Sequence, residues 1–590
     1  MTPTMAPYIP ETAPFTPEQR AWLNGFLAGL FSANPGAAMR PESAGLPANA
    51  ESLLILFGSQ TGTAEGLAKK LARAASAHGY APQVLALNDY ASANLPAAQK
   101  LVVISSTWGD GEPPDNAANF WGWLNAESAP RLEHLSFAVL GLGDRNYSDF
   151  CGAAKKFDAR LEALGAKRLM PRGECDVDYE APAKAWMESL WSRLGPGKGS
   201  LAAPAAAPLI PALTAAAPAF GKANPFPARL LKNVLLNRPA SSKEVRHYEI
   251  SLAGSGLSYE VGDALGVVPA NCPELVEDLL TLLKCRGEEP VKIEAGEMTL
   301  REALTRQLEI TRPTPELVAL VGERGFADGL SPLLVPERRD DLKRWIFGRD
   351  VLDVLGLLPT PMPIAELLPL LRKLSPRLYS ISSSPKAHPD EVHLTVSAVR
   401  YESHGRSRKG VASTFLADRV NGTEFVKVFV QTAHGFRPPV SGDVPMIMVG
   451  PGTGIAPFRA FLEERAATGA KGKNWLFFGD QTRAADFLYE DQLTAWQQNG
   501  LLTRLDLAFS RDQAEKIYVQ NRILENAAEL WSWLEAGGHF YVCGDAARMA
   551  KDVDAALHRV VETAGGKSAE EAKNYLAVMK NEKRYQRDVY

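Results

Sequence analysis

The sequence has little cysteine, no long hydrophobic run and almost no net charge, and each shortage removes a class of function. Five cysteines stand among 590 residues (Cys151, Cys175, Cys272, Cys285 and Cys543), and none shares CxxC or Cys/His spacing with another. That leaves no disulfide framework, structural zinc or cysteine-held iron–sulfur cluster to support a fold, and a reducing, cytoplasmic setting is expected. The most apolar early piece, AWLNGFLAGLF, is about half the length a membrane span needs and reads as a short amphipathic helix for packing or homo-oligomer formation. MTPTMAPYIPETAPF lacks a basic n-region and an apolar core, so no signal peptide is expected. A net charge of −4 gives no general attraction to nucleic acid, and any charged docking surface must be local.

What is present is core material in several blocks. A chain of 590 residues exceeds what one hydrophobic core serves, so roughly three or four domains are expected. After an extension over residues 1–50, residues 51–194 alternate apolar strands (SLLILFGS, KLVVISST, SFAVLGLG) with helical patterns such as AEGLAKKLARAASAHG. That rhythm predicts a doubly wound parallel sheet with crossover helices. Residues 195–225 are dense in Pro and Ala and poor in charge, which predicts a semi-rigid linker. Residues 226–440 carry period-2 runs such as VRHYEISLAGSGLSYEVGDALGVVP, as antiparallel barrel strands would, interrupted by a helical insertion at 273–371. From 441 to 590 strand, glycine loop and helix alternate again, predicting a second α/β domain.

The loop FGSQTGTAEGLAKKLA places Ser59, Gln60, Thr61, Gly62, Thr63 and Ala64 between a buried strand and a helix N-terminus. Backbone N–H groups, hydroxyls and the helix dipole suit a monophosphate there, and the lack of a Walker lysine disfavours ATP. The same residues also suit a plain turn and helix cap. Two further strand-end loops, SSTWGDGEPPDN and GLGDRNYSDFC, add Trp108 and Tyr147, two rings able to sandwich a planar heterocycle. Together the three loops resemble the FMN site of flavodoxins, which lies at a strand-order switch point. The resemblance implies contacts from Ser106, Thr107, Trp108, Gly109, Leu142, Gly143, Asp144, Asn146, Tyr147, Phe150 and Cys151. Asp110, Glu112, Asp115, Asp144 and Asp149 cluster on these loops, either as a solvated surface or as a docking face for a basic partner.

RLYSISSS, LTVSAVRY and GRSRKGVASTFLADR, in that order, resemble the FAD domain of the ferredoxin–NADP reductase family. The resemblance implies that Arg377 meets the FAD phosphates, Tyr379 stacks on the isoalloxazine with Leu378 beside it, and Ser380 bonds at the N5 edge. Gly410, Val411, Ala412 and Ser413 would open a helix on the pyrophosphate, and Thr395, Val396, Ser397 and Tyr401 would hold the remainder. Downstream, VGPGTGIAPFRAF carries Gly450, Gly452, Thr453 and Gly454 after an apolar strand, and FSRDQAEKIYVQ gathers Ser510, Arg511, Lys516, Tyr518 and Gln520. Arginine forks suit a phosphate where a ribose diol would meet a carboxylate, so this cluster favours NADP over NAD. YVCGDAARMAKDV adds Cys543 and Asp552; the family places such a thiol beside the nicotinamide.

An FMN module, a linker, then an FAD/NADP reductase with a helical insertion is similar to the diflavin reductases over residues 51–590. TPEQRAWLNGFLAGL, the Ala/Pro linker and the ending YQRDVY resemble the branch that serves assimilatory sulfite reductase, whereas P450 reductases end on tryptophan. The resemblance implies hydride transfer from NADPH to FAD with Ser380, Cys543 and Asp588 aligning the reactants and Tyr590 covering the flavin. Electrons would then pass to FMN and singly to a sirohaem/iron–sulfur beta subunit that reduces sulfite to sulfide. The nine histidines form no ligand pair with cysteines, so that haem must lie on another chain. A soluble diflavin reductase for another acceptor such as a cytochrome P450, and a non-catalytic flavodoxin-like scaffold, are the alternative readings.

Overall fold

The computed structural model describes residues 51–59, 62–91, 94–108, 111–145, 149–176, 179–195, 197, 220–324, 330–420, 425–433 and 435–590. The N-terminal helix, the body of the linker, and Gln60, Thr61, Gly109, Asp110, Asn146 and Tyr147 lie outside the described residues.

The first sheet joins β1 (Glu51–Gly58), β2 (Tyr80–Ala86), β3 (Lys100–Ser106), β4 (Ser136–Leu142) and β5 (Lys167–Arg168) in the order β2-β1-β3-β4-β5, with β6 (Gly173–Cys175) also on β4. Every pairing is parallel. Leu53 to Leu56 and Leu101 to Ile104 are buried without alternation because helices cover both faces of the sheet. In the helix Thr63–Ala77, Ala64, Leu67, Ala68, Leu71 and Ala75 repeat at three- and four-residue steps and are all buried. The order reverses between β1 and β3, so the loops that follow β1, β3 and β4 line one crevice.

The second sheet is antiparallel and runs β12-β9-β16-β7-β8-β13, from β7 (Phe226–Leu235), β8 (Val245–Ser251), β9 (Ala264–Val268), β12 (Arg377–Ser380), β13 (Glu391–Ser397) and β16 (Phe425–Gln431). An irregularity between Leu230 and Lys232 lets β7 pair with β16 by one end and β8 by the other. A single isolated bridge links Ile381, just past β12, to Leu394 on β13; among the described residues the strands form an antiparallel sheet and no closed barrel where a barrel was expected. The insertion between β9 and β12 is mostly helical, with its own core around Leu279, Leu304, Val318 and Val354. It also holds a hairpin, β10 (Pro290–Ile293) with β11 (Gly296–Thr299), where a wholly helical stretch was expected. Gly296, at φ +119, supplies the turn. A second hairpin, β14 (Arg400–Ser403) with β15 (Arg406–Lys409), clasps the insertion by buried ion pairs from Arg408 to Asp350 (2.5 Å) and Asp353 (2.6 Å).

The third sheet is parallel and runs β19-β18-β17-β20-β21, from β17 (Met446–Val449), β18 (Asn474–Asp480), β19 (Arg504–Phe509), β20 (His539–Gly544) and β21 (Tyr585–Val589). Its order reverses between β17 and β20. The last strand, β21, forms the edge next to β20, with Cys543 opposite Asp588.

Candidate functional site

At the first crevice, Ser59 accepts from Ala64 N through Oγ at 3.2 Å, while its own N–H donates to Asn116 Oδ1 at 2.8 Å. Part of the predicted phosphate loop therefore also caps the helix Thr63–Ala77, as the capping alternative requires. Gly62 holds φ +86 at the cap, a conformation that side chains resist. Ser106 Oγ donates to Gly58 O, and Thr107 N donates to Leu142 O at 2.9 Å. The Thr107 hydroxyl is buried and has no hydrogen-bond partner among the described residues, which suits a polar ligand. Trp108 and Glu112 exchange two backbone hydrogen bonds, 2.9 and 2.8 Å, that fix the start and end of their loop. After β4, Gly143 lies so close to Cys151 that a Cβ would meet its N at 2.8 Å. Burial pushes the Cys151 thiol up to about 12, which leaves it an inert packing group. Leu142, Asp144 and Phe150 complete this side, with Arg145 over the Phe150 ring at 4.9 Å.

On the antiparallel sheet, Arg377 spends its guanidinium on Glu309 (3.0 Å) and Ser375 O (2.7 Å). Tyr379 packs against Leu374, Val411 and Ala412, so the RLYS strand and the Gly410–Ser413 turn meet in space. Ser413 Oγ accepts from Val399 N at 3.1 Å. Thr395 is directed elsewhere, its hydroxyl 2.7 Å from the Tyr489 phenol, and Val396 lies in the core of the antiparallel sheet. Leu378 is exposed, Ser397 is half-buried, and Tyr401 stands outward on β14.

The antiparallel sheet and the third sheet meet at Ser380. Its Oγ donates to Asp588 Oδ2 at 2.7 Å across 208 residues of chain, and Cys543 Sγ lies 4.0 Å from the same oxygen. Desolvation holds the Asp588 carboxyl above the ordinary carboxylate range, although the Ser380 hydrogen bond works the other way. Cys543 is fully buried and its thiol is pushed well above the usual value, so it is no thiolate nucleophile. Gly454 makes this approach possible: a Cβ there would stand 2.1 Å from Cys543 O. Thr453 Oγ1 and the Tyr590 phenol are 2.8 Å apart, and Tyr590 N donates to Gly544 O at 3.0 Å. Tyr590 as a residue is 52% exposed, and its phenol reaches the glycine loop at Thr453.

Beyond β19, Ser510 N donates to Asp480 O at 2.9 Å, and Arg511 and Lys516 are exposed. Tyr518 begins the helix Val519–Glu525, and Gln520 Nε2 donates to Asp552 Oδ2 at 3.2 Å. These residues gather at the carboxyl edge of the sheet. Sequence reasoning missed Asp480, a fully buried side chain paired with Lys243, between β7 and β8, at 2.5 Å. Burial raises its pKa, and its Oδ2 has no hydrogen-bond partner among the described residues. An aspartate directly closing an apolar strand was the available signal.

Residues 55–186 match the flavodoxin family, residues 218–415 the FAD binding domain and residues 448–555 the oxidoreductase NAD-binding domain. The chain is 45% identical over 584 residues, covering 98% of it and 96% of the relative, to the sulfite reductase (NADPH) flavoprotein alpha-component of Bacillus subtilis (strain 168). The protein of the same description from Neisseria meningitidis serogroup C is 45% identical over 579 residues, covering 97% of this chain and 95% of that one. That from Vibrio vulnificus is 42% identical over 590 residues, covering 99% and 95%. This chain belongs to the sulfite reductase flavoprotein alpha-component family. Its flavodoxin-like sheet, FAD-binding domain and nucleotide-binding sheet are the units that carry FMN, FAD and a nicotinamide dinucleotide. The buried Thr107 hydroxyl, the left-handed Gly62 turn and the backbone-close glycine loop at Gly454 fit such ligands. Among the described residues no helix is long and apolar enough to cross a membrane.

Proposed function

We propose that this chain is a cytoplasmic NADPH-dependent oxidoreductase that passes electrons through FAD and FMN to a sirohaem/iron–sulfur sulfite reductase subunit, supporting reduction of sulfite to sulfide. One observation carries the reading: the Ser380 to Asp588 hydrogen bond, 2.7 Å, with Cys543 beside it, at the junction of the FAD-binding and nucleotide-binding units. When bound, NADPH and the two flavins supply the hydride and one-electron chemistry. The protein supplies position. Ser380 and Asp588 fix each other's orientation, so a nicotinamide and a flavin edge placed there meet in one geometry, which is where most of the rate advantage of such a site arises. Cys543 packs as a small protonated group, and Tyr590 shields the site from water.

Arg511 and Lys516, both exposed, are assigned with Ser510, Tyr518, Gln520 and Asp552 to the 2′-phosphate end of NADPH, and Gly452 and Thr453 to its pyrophosphate end. Arg377, Tyr379 and the Gly410–Ser413 turn are assigned to FAD. Ser59, Gly62, Thr63, Ala64, Ser106, Thr107 and Trp108 are assigned to FMN. Purified natively, the protein should be yellow, hold FMN and FAD in equal amounts, and be bleached far faster by NADPH than by NADH. It should also reduce cytochrome c with NADPH, which a scaffold would not. A colourless protein, or a flavoprotein inert to NADPH, overturns the reading. Co-purification of a sirohaem protein from the source cells separates this partner from another acceptor such as a P450.

A further inference from the structure

The last strand faces two units of the molecule at once. Side chains alternate along β21, so Gln586 and Asp588 share one face and Tyr585, Arg587 and Val589 the other. On the first face Gln586 Oε1 accepts from Arg437 N at 2.9 Å and Asp588 accepts from Ser380 at 2.7 Å, both from the chain that precedes the third sheet. On the second, Tyr585 and Val589 pack into the core beneath the helices Met549–Thr563 and Ala569–Asn581. Arg587 reaches past that core and lays its guanidinium over the indole of Trp108, 4.8 Å from the ring centre. Tryptophan offers the strongest aromatic face for a cation, and the contact strengthens as water is removed. Arg587 is desolvated enough that its pKa falls to about 10.

We propose that Arg587 is a positioning residue through which the last strand holds the flavodoxin-like unit, by a guanidinium-on-indole contact with Trp108. A cavity of about 580 Å³ lies along this junction, and Ser59 and Gly62 of the first crevice line it together with Asp588. Its walls carry opposite charge, Glu65 and Asp89 from the first sheet's side and Lys573 and Lys580 from the other. The proposed FMN loop and the Ser380–Asp588 pair therefore border one space, and Arg587 and Asp588, consecutive residues pointing opposite ways, tie the two together. The assignment of this crevice to FMN rests on the functional reading above; the Arg587–Trp108 contact stands on geometry.

The test is hydrogen exchange on the full flavin-loaded chain. Trp108 N–H and Glu112 N–H are both hydrogen-bonded, so their exchange reports opening of the loop. Arg587→Met keeps the length of the stem and removes the charge; exchange at these two amides should rise about tenfold, with flavin content unchanged. Arg587→Lys keeps a cation but loses the flat stack, and should fall between wild type and the Met variant. Exchange in Arg587→Met equal to wild type, or faster in Arg587→Lys than in Arg587→Met, overturns the proposal. Should Arg587→Met not fold, Arg587→Lys with wild-type exchange overturns it alone. Failure of NADPH to bleach the wild-type flavins would sink the functional reading and leave this result untouched.

Discussion

The first and third sheets solve the same problem differently. Both are parallel, both reverse strand order near the middle, and both gather loops at the carboxyl ends of the strands flanking the reversal. The first draws its crevice residues from its own loops, between Ser59 and Cys151, and Arg587 of the last strand only lies against Trp108 from outside. The third is finished from outside, because Ser380 arrives from the antiparallel sheet to meet Asp588. A self-contained crevice survives movement of its unit as a rigid body. A composite one exists only while the antiparallel and third sheets stay docked, and the half-buried Lys243 paired with the buried Asp480 and the Arg437–Gln586 hydrogen bond help hold that docking. An electron carrier that must travel belongs on the first kind of site, and hydride transfer, which tolerates little misplacement, on the second.

The largest expected effect tests this division directly. Asp588→Ala removes the acceptor for Ser380 and should slow NADPH-driven flavin bleaching by about 100-fold, the scale of a misaligned reactant. FMN content should stay at the wild-type level, because the hydrogen bonds of Asp588 among the described residues run to Ser380 and Cys543 and not to the first crevice. Loss of FMN along with the bleaching rate would break the comparison.

Crowding gives a second contrast. At Gly454 a new Cβ would meet backbone, Cys543 O at 2.1 Å, whereas at Gly58 it would meet side chains, Ser105 Oγ at 2.8 Å and Leu87 Cδ1 at 2.9 Å. Backbone at a packed strand end cannot yield as a rotamer can. Gly454→Ala should therefore cost about 2 kcal/mol in urea unfolding and Gly58→Ala under about 1 kcal/mol. Equal costs would mean that the third sheet's loop relaxes as freely as the first sheet's side chains.

The same contrast explains what could be read from sequence. Strand-loop-helix units with local contacts were legible from period and glycine placement alone, and SLLILFGS, VPMIMVG and HFYVCGD each form the strand they suggest. The antiparallel sheet was legible from alternation. The hairpin at Pro290–Thr299 was not, since two four-residue strands leave too short a pattern inside a helical stretch. Ser380, Cys543 and Asp588 entered only through family resemblance, for no periodicity links residues that far apart. Asp480, Lys243 and the Arg587–Trp108 contact escaped notice because each depends on how separate units dock, and docking leaves no mark on local composition.

Tyr590 sharpens the comparison on a smaller scale. Its phenol shares a 2.8 Å hydrogen bond with Thr453 on the glycine loop, and the residue is half exposed. Tyr590→Ala gives up about one neutral hydrogen bond, so the preference for NADPH over NADH, or the bleaching rate, should change by about fivefold with FAD still bound. Coenzyme kinetics unchanged after removal of Asp588 to Tyr590 would reduce the whole segment to a frayed end.

The smallest effect concerns stability and has a sign fixed by burial. Desolvation raises the Asp588 pKa, so the folded protein binds a proton that the unfolded chain has already released once pH passes the ordinary carboxylate value near about 3.9. Stability linked to this group is complete below that pH and is lost as pH rises toward the raised folded value. At neutral pH the charged carboxylate is therefore a cost that the site bears for its alignment with Ser380. Asp588→Asn keeps an oxygen to accept from Ser380 and removes the charge, so the unfolding transition of the third sheet should rise by about 2 °C at pH 7.5 and not at pH 4. Calorimetry at the two pH values decides it: a gain at both, or at pH 4 alone, would mean that the benefit comes from packing and not from the buried charge.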